Sequence, residues 1–570
     1  MKRAKFLLPA LLLLIGSFYL WNLGNHGLFE PDEARYAEIP REMLEKGDYI
    51  TPTLNYVKYF EKPPLHYWCT ALFMKIFGEN EWGARITPFL GGLGGVGITA
   101  LFGWRYFGLV PGLLSAWILG SSFLWSVHAQ LNITDMTLAF FLTLGLFAYY
   151  LGIRSSRRWL LLFYASLALA TLAKGLIGIV LPGGIILLWI CWRREWKLIP
   201  RSLSFPGIAL FFALTLPWFA EVWRRNPEFG WFFFVHEHFL RYTTTAHERY
   251  EPWWYFLAIL PLGMLPWTGG ILRGFFLRFK EIHRASYKEG LLSYLFLWPL
   301  LIVLFFSLSG SKLIPYILPT LPPLALFGGL GIQAMLEGKK SRKEKFLFCF
   351  WPCLFALALG GYAWQEAPRD LGDILIPLTL LGVFPALGAI LFCFGNNRKS
   401  SFYKTALVFF MGISFMAGVK TLSPLLEPTL SGKALAELIQ KERLPEEKIL
   451  CYGTYVQGLA FYLKERILLG EYEGELGFGR RQNPENAEAW FLSEEEVGKL
   501  WQNPALPLLL VLPEREDSFW ERLELAPGTL LGTRDDLRLF RKNAGTPSSP
   551  EKSMEQNSEI PDSTTRHMPE

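Results

Sequence analysis

Charge is what this chain has little of. Only 19% of its 570 residues are Asp, Glu, Lys or Arg, against about a quarter in soluble domains. The shortfall falls in long apolar runs, which excludes an ordinary soluble protein and predicts a polytopic membrane protein. Cysteine is scarce as well, with six residues at 69, 191, 349, 353, 393 and 451. They are scattered, mostly inside apolar segments, so there is no disulfide framework and no zinc knuckle. Internal repeats are missing, which weighs against an inverted-repeat transporter. The net charge of +6 does not point to nucleic acid, because Lys and Arg form short clusters between apolar runs.

What is present is apolar and aromatic: 51% hydrophobic and 16% Phe, Trp or Tyr, with a mean hydropathy of +0.25. Thirteen runs of roughly 15–23 residues read as membrane spans. They lie near 6–23, 84–104, 108–127, 135–152, 159–173, 175–192, 205–223, 255–275, 290–308, 313–333, 345–363, 373–394 and 403–422. The first resembles a signal peptide at its basic start. Its apolar part is long enough to span and no A-x-A site follows, so a retained helix is expected.

Charge alternates along these runs. The loops with Arg154/Arg157/Arg158, Arg193/Arg194/Lys197/Arg201, 273–288, Lys339–Lys345 and Arg398/Lys399/Lys404 are basic, and the intervening loops are mixed or acidic. With cytoplasmic loops basic, Met1 is cytoplasmic and the long loops 24–83 and 224–254 face outward, together with everything after the last span. The expected organisation is a membrane part at 1–425, a small α/β domain at 426–542 and a disordered polar tail at 543–570.

The chemistry-bearing residues gather on the outward side. Loop 24–83 opens on Asp32-Glu33, followed by Arg35 and Tyr36, and carries Tyr59-Phe60-Glu61-Lys62-Pro63-Pro64. A carboxylate at a helix start acts as a cap, but one suffices for that, and the second suggests contact with a polar ligand. Ala34–Lys46 reads as an amphipathic interfacial helix with Glu38, Arg41, Glu42 and Glu45 on its polar face. Glu61-Lys62 is equally an interfacial ion pair or a metal-and-phosphate site. Asp135, after Asn132-Ile133-Thr134, is equally a helix cap or a second acid/base carboxylate. His236 and His238 flank Glu237, with Arg241 three residues past His238. On a helix only one of the two histidines faces a site, and with Glu61 it completes a nitrogen–oxygen metal set. Lys174 and Lys312 sit at outward span ends. Each is explained singly by snorkelling, and with Lys62 and Arg241 they make a cationic cluster suited to a lipid phosphate.

The segments PDEARYAEIPREMLEKGDY, YFEKPPLHYW, NITDM, LAKGLIG, EHFLRY and SGSKLIPYILPTLPPLA resemble the GT-C membrane glycosyltransferases. Within them they are most similar to the lipid A aminoarabinose transferase branch, related to the protein O-mannosyltransferases. The resemblance covers nearly all of the chain except the tail. It implies a helical GT-C membrane fold with an outer α/β domain, a polyprenyl-phosphate-linked sugar as donor, and transfer at the periplasmic face of the bacterial inner membrane. It implies Asp32 and Asp135, with Glu33 beside them, as catalytic carboxylates. Glu61 with His238 (or His236) would be ligands of a divalent metal such as Zn, Mg or Mn. Arg35, Tyr36, Tyr59, Lys62, Lys174, Arg241, Lys312 and Tyr316 would be donor contacts. Lipid A, or another periplasmic glycan or protein, is the expected acceptor. A protein O-glycosyltransferase of the same fold and a lipid-linked sugar carrier or flippase are the competing expectations. A flippase would spread its charges through the spans, whereas here they gather on one side.

Overall fold

The computed structural model describes residues 4–240, 251–282, 290–338, 340–366, 372–395 and 401–543. Arg241 and the tail from 544 lie outside them, and the side chain of His238 is likewise not described. Each of the thirteen predicted spans falls on a helix. Among the described residues seven helices are long and apolar enough to cross a membrane: Glu81–Phe107, Thr134–Arg154, Phe205–Arg225, Ile314–Glu337, Arg342–Trp364, Asp373–Phe394 and Ser401–Leu430. Tyr255–Gly263 and Thr268–Ile282 form an eighth only as a pair bent by 105°. Proline explains the break: Pro261 is inside the first helix and Pro266 lies between the two, each removing a backbone donor. The remaining five predicted spans are apolar helices of 10–17 residues.

By its contacts the chain forms two compact units. The first comprises Met1–Gln440 together with Val456–Arg466 and Glu473–Ala489. Its interior is built on tryptophans, with Trp117, Trp125, Trp189, Trp267 and Trp298 all fully buried. A buried indole needs a partner for its N–H. Trp117 donates to the Val408 carbonyl at 3.1 Å, Trp125 to Gly92 at 3.1 Å and Trp267 to Ser121 Oγ at 2.9 Å. The glycine run of Glu81–Phe107 makes room for this: a Cβ on Gly95 would stand 2.4 Å from the Trp125 ring, the close approach that small residues allow in membrane helices.

The second unit comprises Lys441–Tyr455, Ile467–Tyr472 and the residues from Trp490. Its strands are β3 (Lys448–Tyr452), β4 (Leu468–Gly470), β5 (Phe491–Leu492), β6 (Leu508–Pro513), β7 (Thr529–Arg534) and β8 (Leu537–Arg541); β1 (Thr53–Leu54) and β2 (Val57–Lys58) form a hairpin in the first unit. The sheet order is β5-β4-β3-β6-β8-β7. The first four strands are parallel and β8 and β7 antiparallel. β6 is buried along its whole length, as a central strand covered on both faces must be. The segments 456–466 and 473–489, read from sequence as part of the α/β domain, fold with the first unit.

Candidate active site

Loop 24–83 folds around a buried guanidinium. Arg85, on the first turns of Glu81–Phe107, donates to Glu33 through Nε at 2.9 Å and Nη2 at 2.8 Å. It also donates to the carbonyls of Leu23, His26 and Gly27, each at 2.9 Å. Glu33 further accepts the backbone N–H of Phe29 at 3.1 Å and of Asn132 at 2.7 Å. Burial alone would raise the Glu33 carboxyl, but Arg85 outweighs it and holds the group below the usual carboxylate range. Glu33, expected as a catalytic carboxylate, is 2% exposed, and both its oxygens accept hydrogen bonds that hold the loop.

The helix of this loop, Asp32–Lys46, is also not the half-exposed element that its sequence predicts. Glu38, Arg41 and Glu42 are all buried. Arg41 binds Glu38 through Nε and Nη2, both at 2.7 Å. Glu42 accepts the backbone N–H of Tyr56 at 3.0 Å. That carboxylate anchors the β1–β2 turn, whose Asn55 and Tyr56 have φ of 49° and 65°. The turn needs the left-handed region at both positions, and β2 then delivers Tyr59 and the Glu61-Lys62 segment.

Asp32 points the other way from Glu33. Its side chain is 46% exposed and pairs with Arg35. Arg35 is shared with Glu475, which also accepts Gln457 Nε2 at 2.6 Å. The Arg35 guanidinium lies 5.1 Å from the Tyr36 ring and 5.9 Å from that of Tyr59. Burial would weaken its hold on the proton, and the oxygens of Tyr59 and Tyr36 with the carboxylates of Asp32 and Glu61 reverse this, so it stays charged. Burial raises the hydroxyl of Tyr36, and Asp32, Glu61 and Asp135 all lie close enough to raise it further. Arg35 opposes these effects without cancelling them, so the Tyr36 hydroxyl stays neutral.

Asp135 sits in the first turn of Thr134–Arg154 and Lys174 in the last turn of Trp159–Lys174, each at the helix end that favours its charge. They pair at 2.5 Å. Lys174 Nζ is 5.0 Å from the centre of the Tyr316 ring, and Lys312 donates to the Ser309 carbonyl at 2.7 Å. Lys62 lies 3.5 Å from the Glu61 carboxylate and 4.0 Å from that of Glu237. His236, expected as an alternative metal ligand, stacks on Phe232 at 5.0 Å and meets Glu237 at 3.1 Å. Among the described residues no three His, Cys, Asp or Glu side chains converge as a metal set. Lys62 Nζ thus lies between the carboxylates of Glu61 and Glu237, and the side chain of His238, the other expected ligand, is outside the described residues.

Three contributors escaped the sequence reading. Tyr67, four residues after Pro63, brings a buried hydroxyl to the Arg35 region. Arg85 looks like a stray charge at a span start. Glu475 reaches Arg35 from 440 positions away, and nothing in the sequence signals that. Arg35 Nε, Tyr59 Oη and Tyr67 Oη are buried without a hydrogen-bond partner among the described residues.

Residues 61–220 match the family described as dolichyl-phosphate-mannose-protein mannosyltransferase, and 435–525 the aminoarabinose transferase C-terminal domain. An undecaprenyl phosphate-alpha-4-amino-4-deoxy-L-arabinose arabinosyl transferase of Pseudomonas paraeruginosa is 34% identical over 394 residues, 66% of this chain and 70% of that protein. One of the same name from Shewanella sediminis is 27% identical over 515 residues, 87% and 92% of the two chains. The crystal structure of ArnT from Cupriavidus metallidurans bound to undecaprenyl phosphate superposes with a TM-score of 0.80 at 28% identity, covering 94% of this chain and 98% of that one. With these matches over both the membrane part and the C-terminal part, the chain belongs to the ArnT family of GT-C membrane glycosyltransferases.

Proposed function

We propose that this enzyme moves 4-amino-4-deoxy-L-arabinose from a polyprenyl-phosphate carrier to lipid A at the periplasmic face of the bacterial inner membrane, with its N-terminus cytoplasmic and its C-terminal domain periplasmic. The observation that carries the reading is the set of buried polar atoms around Arg35 that have no hydrogen-bond partner among the described residues. Arg35 Nε, Tyr59 Oη and Tyr67 Oη are desolvated donors, costly to leave unmade, and a sugar's ring of hydroxyls satisfies such groups. The undecaprenyl phosphate and aminoarabinose in the relatives' names suit that chemistry.

In this reading the anomeric C–O bond to the carrier phosphate breaks. Negative charge builds on the departing phosphate, and Lys62, Lys174, Lys312 and Arg241 stabilise it, with Tyr316 lining the lipid side. The anomeric carbon becomes oxocarbenium-like, and Asp32 and Asp135 stabilise that positive charge. Arg35, Tyr36 and Tyr59 orient the sugar. The acceptor oxygen then bonds to the anomeric carbon. A lipid A phosphate arrives ionised and needs no general base, whereas a hydroxyl acceptor requires one such as Asp32. The test is mass spectrometry of lipid A from cells with and without the protein. The expected result is a pentose-amine mass on the phosphates that depends on this chain. Unchanged lipid A alongside a newly glycosylated periplasmic protein would overturn the acceptor.

A further inference from the structure

His66 lies four residues after Lys62, in the first turn of the Leu65–Phe77 helix. Its side chain is fully buried. Nε2 is 3.0 Å from Asn132 Oδ1, and Nδ1 is 3.0 Å from Thr137 Oγ1. An amide oxygen only accepts, so Nε2 carries the proton and donates, while Nδ1 accepts from the threonine hydroxyl. The amide orientation agrees with this, because Asn132 Nδ2 donates to the Glu33 carbonyl at 3.3 Å. Burial pushes the imidazole down to about 4, so it is neutral near pH 7.

The two partners of His66 bracket Asp135. Asn132 stands three positions before it and Thr137 two after it. The helix start has no side-chain cap of its own at Ile133. The Asn132 backbone N–H is in turn held by Glu33 at 2.7 Å. His66 therefore spans the turn carrying Asp135 and ties it to the chain segment that carries Glu61 and Lys62.

We propose that His66 is the positioning residue for Asp135: its two hydrogen bonds, to Asn132 and Thr137, set the Asp135–Lys174 pair in register with Lys62. This rests on reading Asp135 as a carboxylate of the transfer site. His66 itself touches no substrate, and its effect passes through Asp135. Displacing a reacting group by about 1 Å costs up to roughly a hundredfold in rate.

The experiment compares purified full-length His66→Ala, His66→Gln, Thr137→Val, Asp135→Glu and the His66→Ala/Asp135→Glu double variant, with undecaprenyl-phosphate aminoarabinose as donor and lipid A as acceptor. His66→Ala is expected to lower kcat by about tenfold to a hundredfold with the donor KM unchanged. Gln, which can still donate to Asn132, restores part of the loss. In the Asp135→Glu background the His66 substitution adds no more than about twofold. Thr137→Val removes one bond without a cavity and covers the case in which His66→Ala fails to fold; it lowers kcat with an unchanged melting temperature. Independent, multiplicative effects of His66 and Asp135, or a full kcat in folded His66→Ala or Thr137→Val, would overturn the proposal. Full activity in Asp135→Glu and in Asp135→Asn would instead overturn the role of Asp135 on which it rests.

Discussion

Arg85 and Glu33 meet through two hydrogen bonds of 2.9 and 2.8 Å in a site where their side chains are 0% and 2% exposed. The pair joins loop 24–83 to the helix Glu81–Phe107, and its remaining bonds fasten residues 23–29 ahead of Asp32 and the backbone of Asn132. Breaking a buried pair on one side leaves an uncompensated charge, at a cost of about 3–5 kcal/mol. Arg85→Met and Glu33→Gln are each expected to lower the melting temperature in detergent sharply. The double variant should lose less than the sum of the two. Additive losses would show that the carbonyl contacts of Arg85, not Glu33, hold the loop.

Glu30 predicts a pH dependence. Burial raises its carboxyl to about 7, against hydrogen bonds from Gly458 and Gln457 and the pull of Arg35. The folded protein therefore holds a proton that the unfolded chain releases near 4.5. Stability from this group is present below the unfolded value and is lost as pH rises through about 7. Glu30→Gln keeps an oxygen for the Gly458 N–H, which Glu30 accepts at 2.7 Å. It should raise the melting temperature at pH 8 and leave it unchanged at pH 4. A variant no more stable than the parent at pH 8 would place the charge of Glu30 in a compensated site.

Lys62 carries the leaving-group argument. Lys62→Met is expected to reduce kcat by about 10²–10³, the size of losing one preorganised electrostatic contact. Donor binding, read by retention of undecaprenyl phosphate, should weaken far less. Equal loss in binding and turnover would assign Lys62 to uniform phosphate binding.

The metal expectation has its own test. With Lys62 occupying the space between Glu61 and Glu237, transfer should survive exhaustive EDTA treatment, and added Zn, Mg or Mn should not increase it. Elemental analysis of the treated protein checks that it is metal-free. Loss of transfer on chelation, restored by one of these ions, would return Glu61 and His238 to the ligand role.

Asp32→Asn separates two acceptor chemistries. If Asp32 only stabilises the developing positive charge, transfer to a lipid A phosphate and to a hydroxyl acceptor should fall by the same factor. A base role requires the hydroxyl reaction to fall further. Parallel rates with both acceptors would exclude the base role.

Periodicity and hydropathy act within a short window, and what depends on them was legible in the sequence. The apolar runs became helices, and the chain after the last of them carries both strands and helices, as its composition led one to expect. Asp32, Arg35, Glu61, Lys62 and Asp135 stand out in the sequence because charge is conspicuous between apolar runs. Their partners do not. Whether Glu33 faces a substrate or an arginine 52 positions on is a matter of which helices pack together. Ala34–Lys46 reads from sequence as an amphipathic interfacial helix, and its charged residues Glu38, Arg41 and Glu42 are buried, since a charged face can meet solvent or a buried counter-charge with the same spacing.

The sequence by itself thus determined a polytopic membrane enzyme with its ionisable residues in two long loops, because the cost of burying charge in lipid is paid residue by residue and leaves a local record. Only the tertiary structure decided the division of labour among those residues. It turned Glu33 inward to Arg85 and Asp32 toward Arg35, brought Glu475 to Arg35, and joined His66 to Asn132 and Thr137 on either side of Asp135. Ion pairs and hydrogen bonds act over about 3 Å in space whatever the separation in sequence, so these roles are set by the packing that closes those distances.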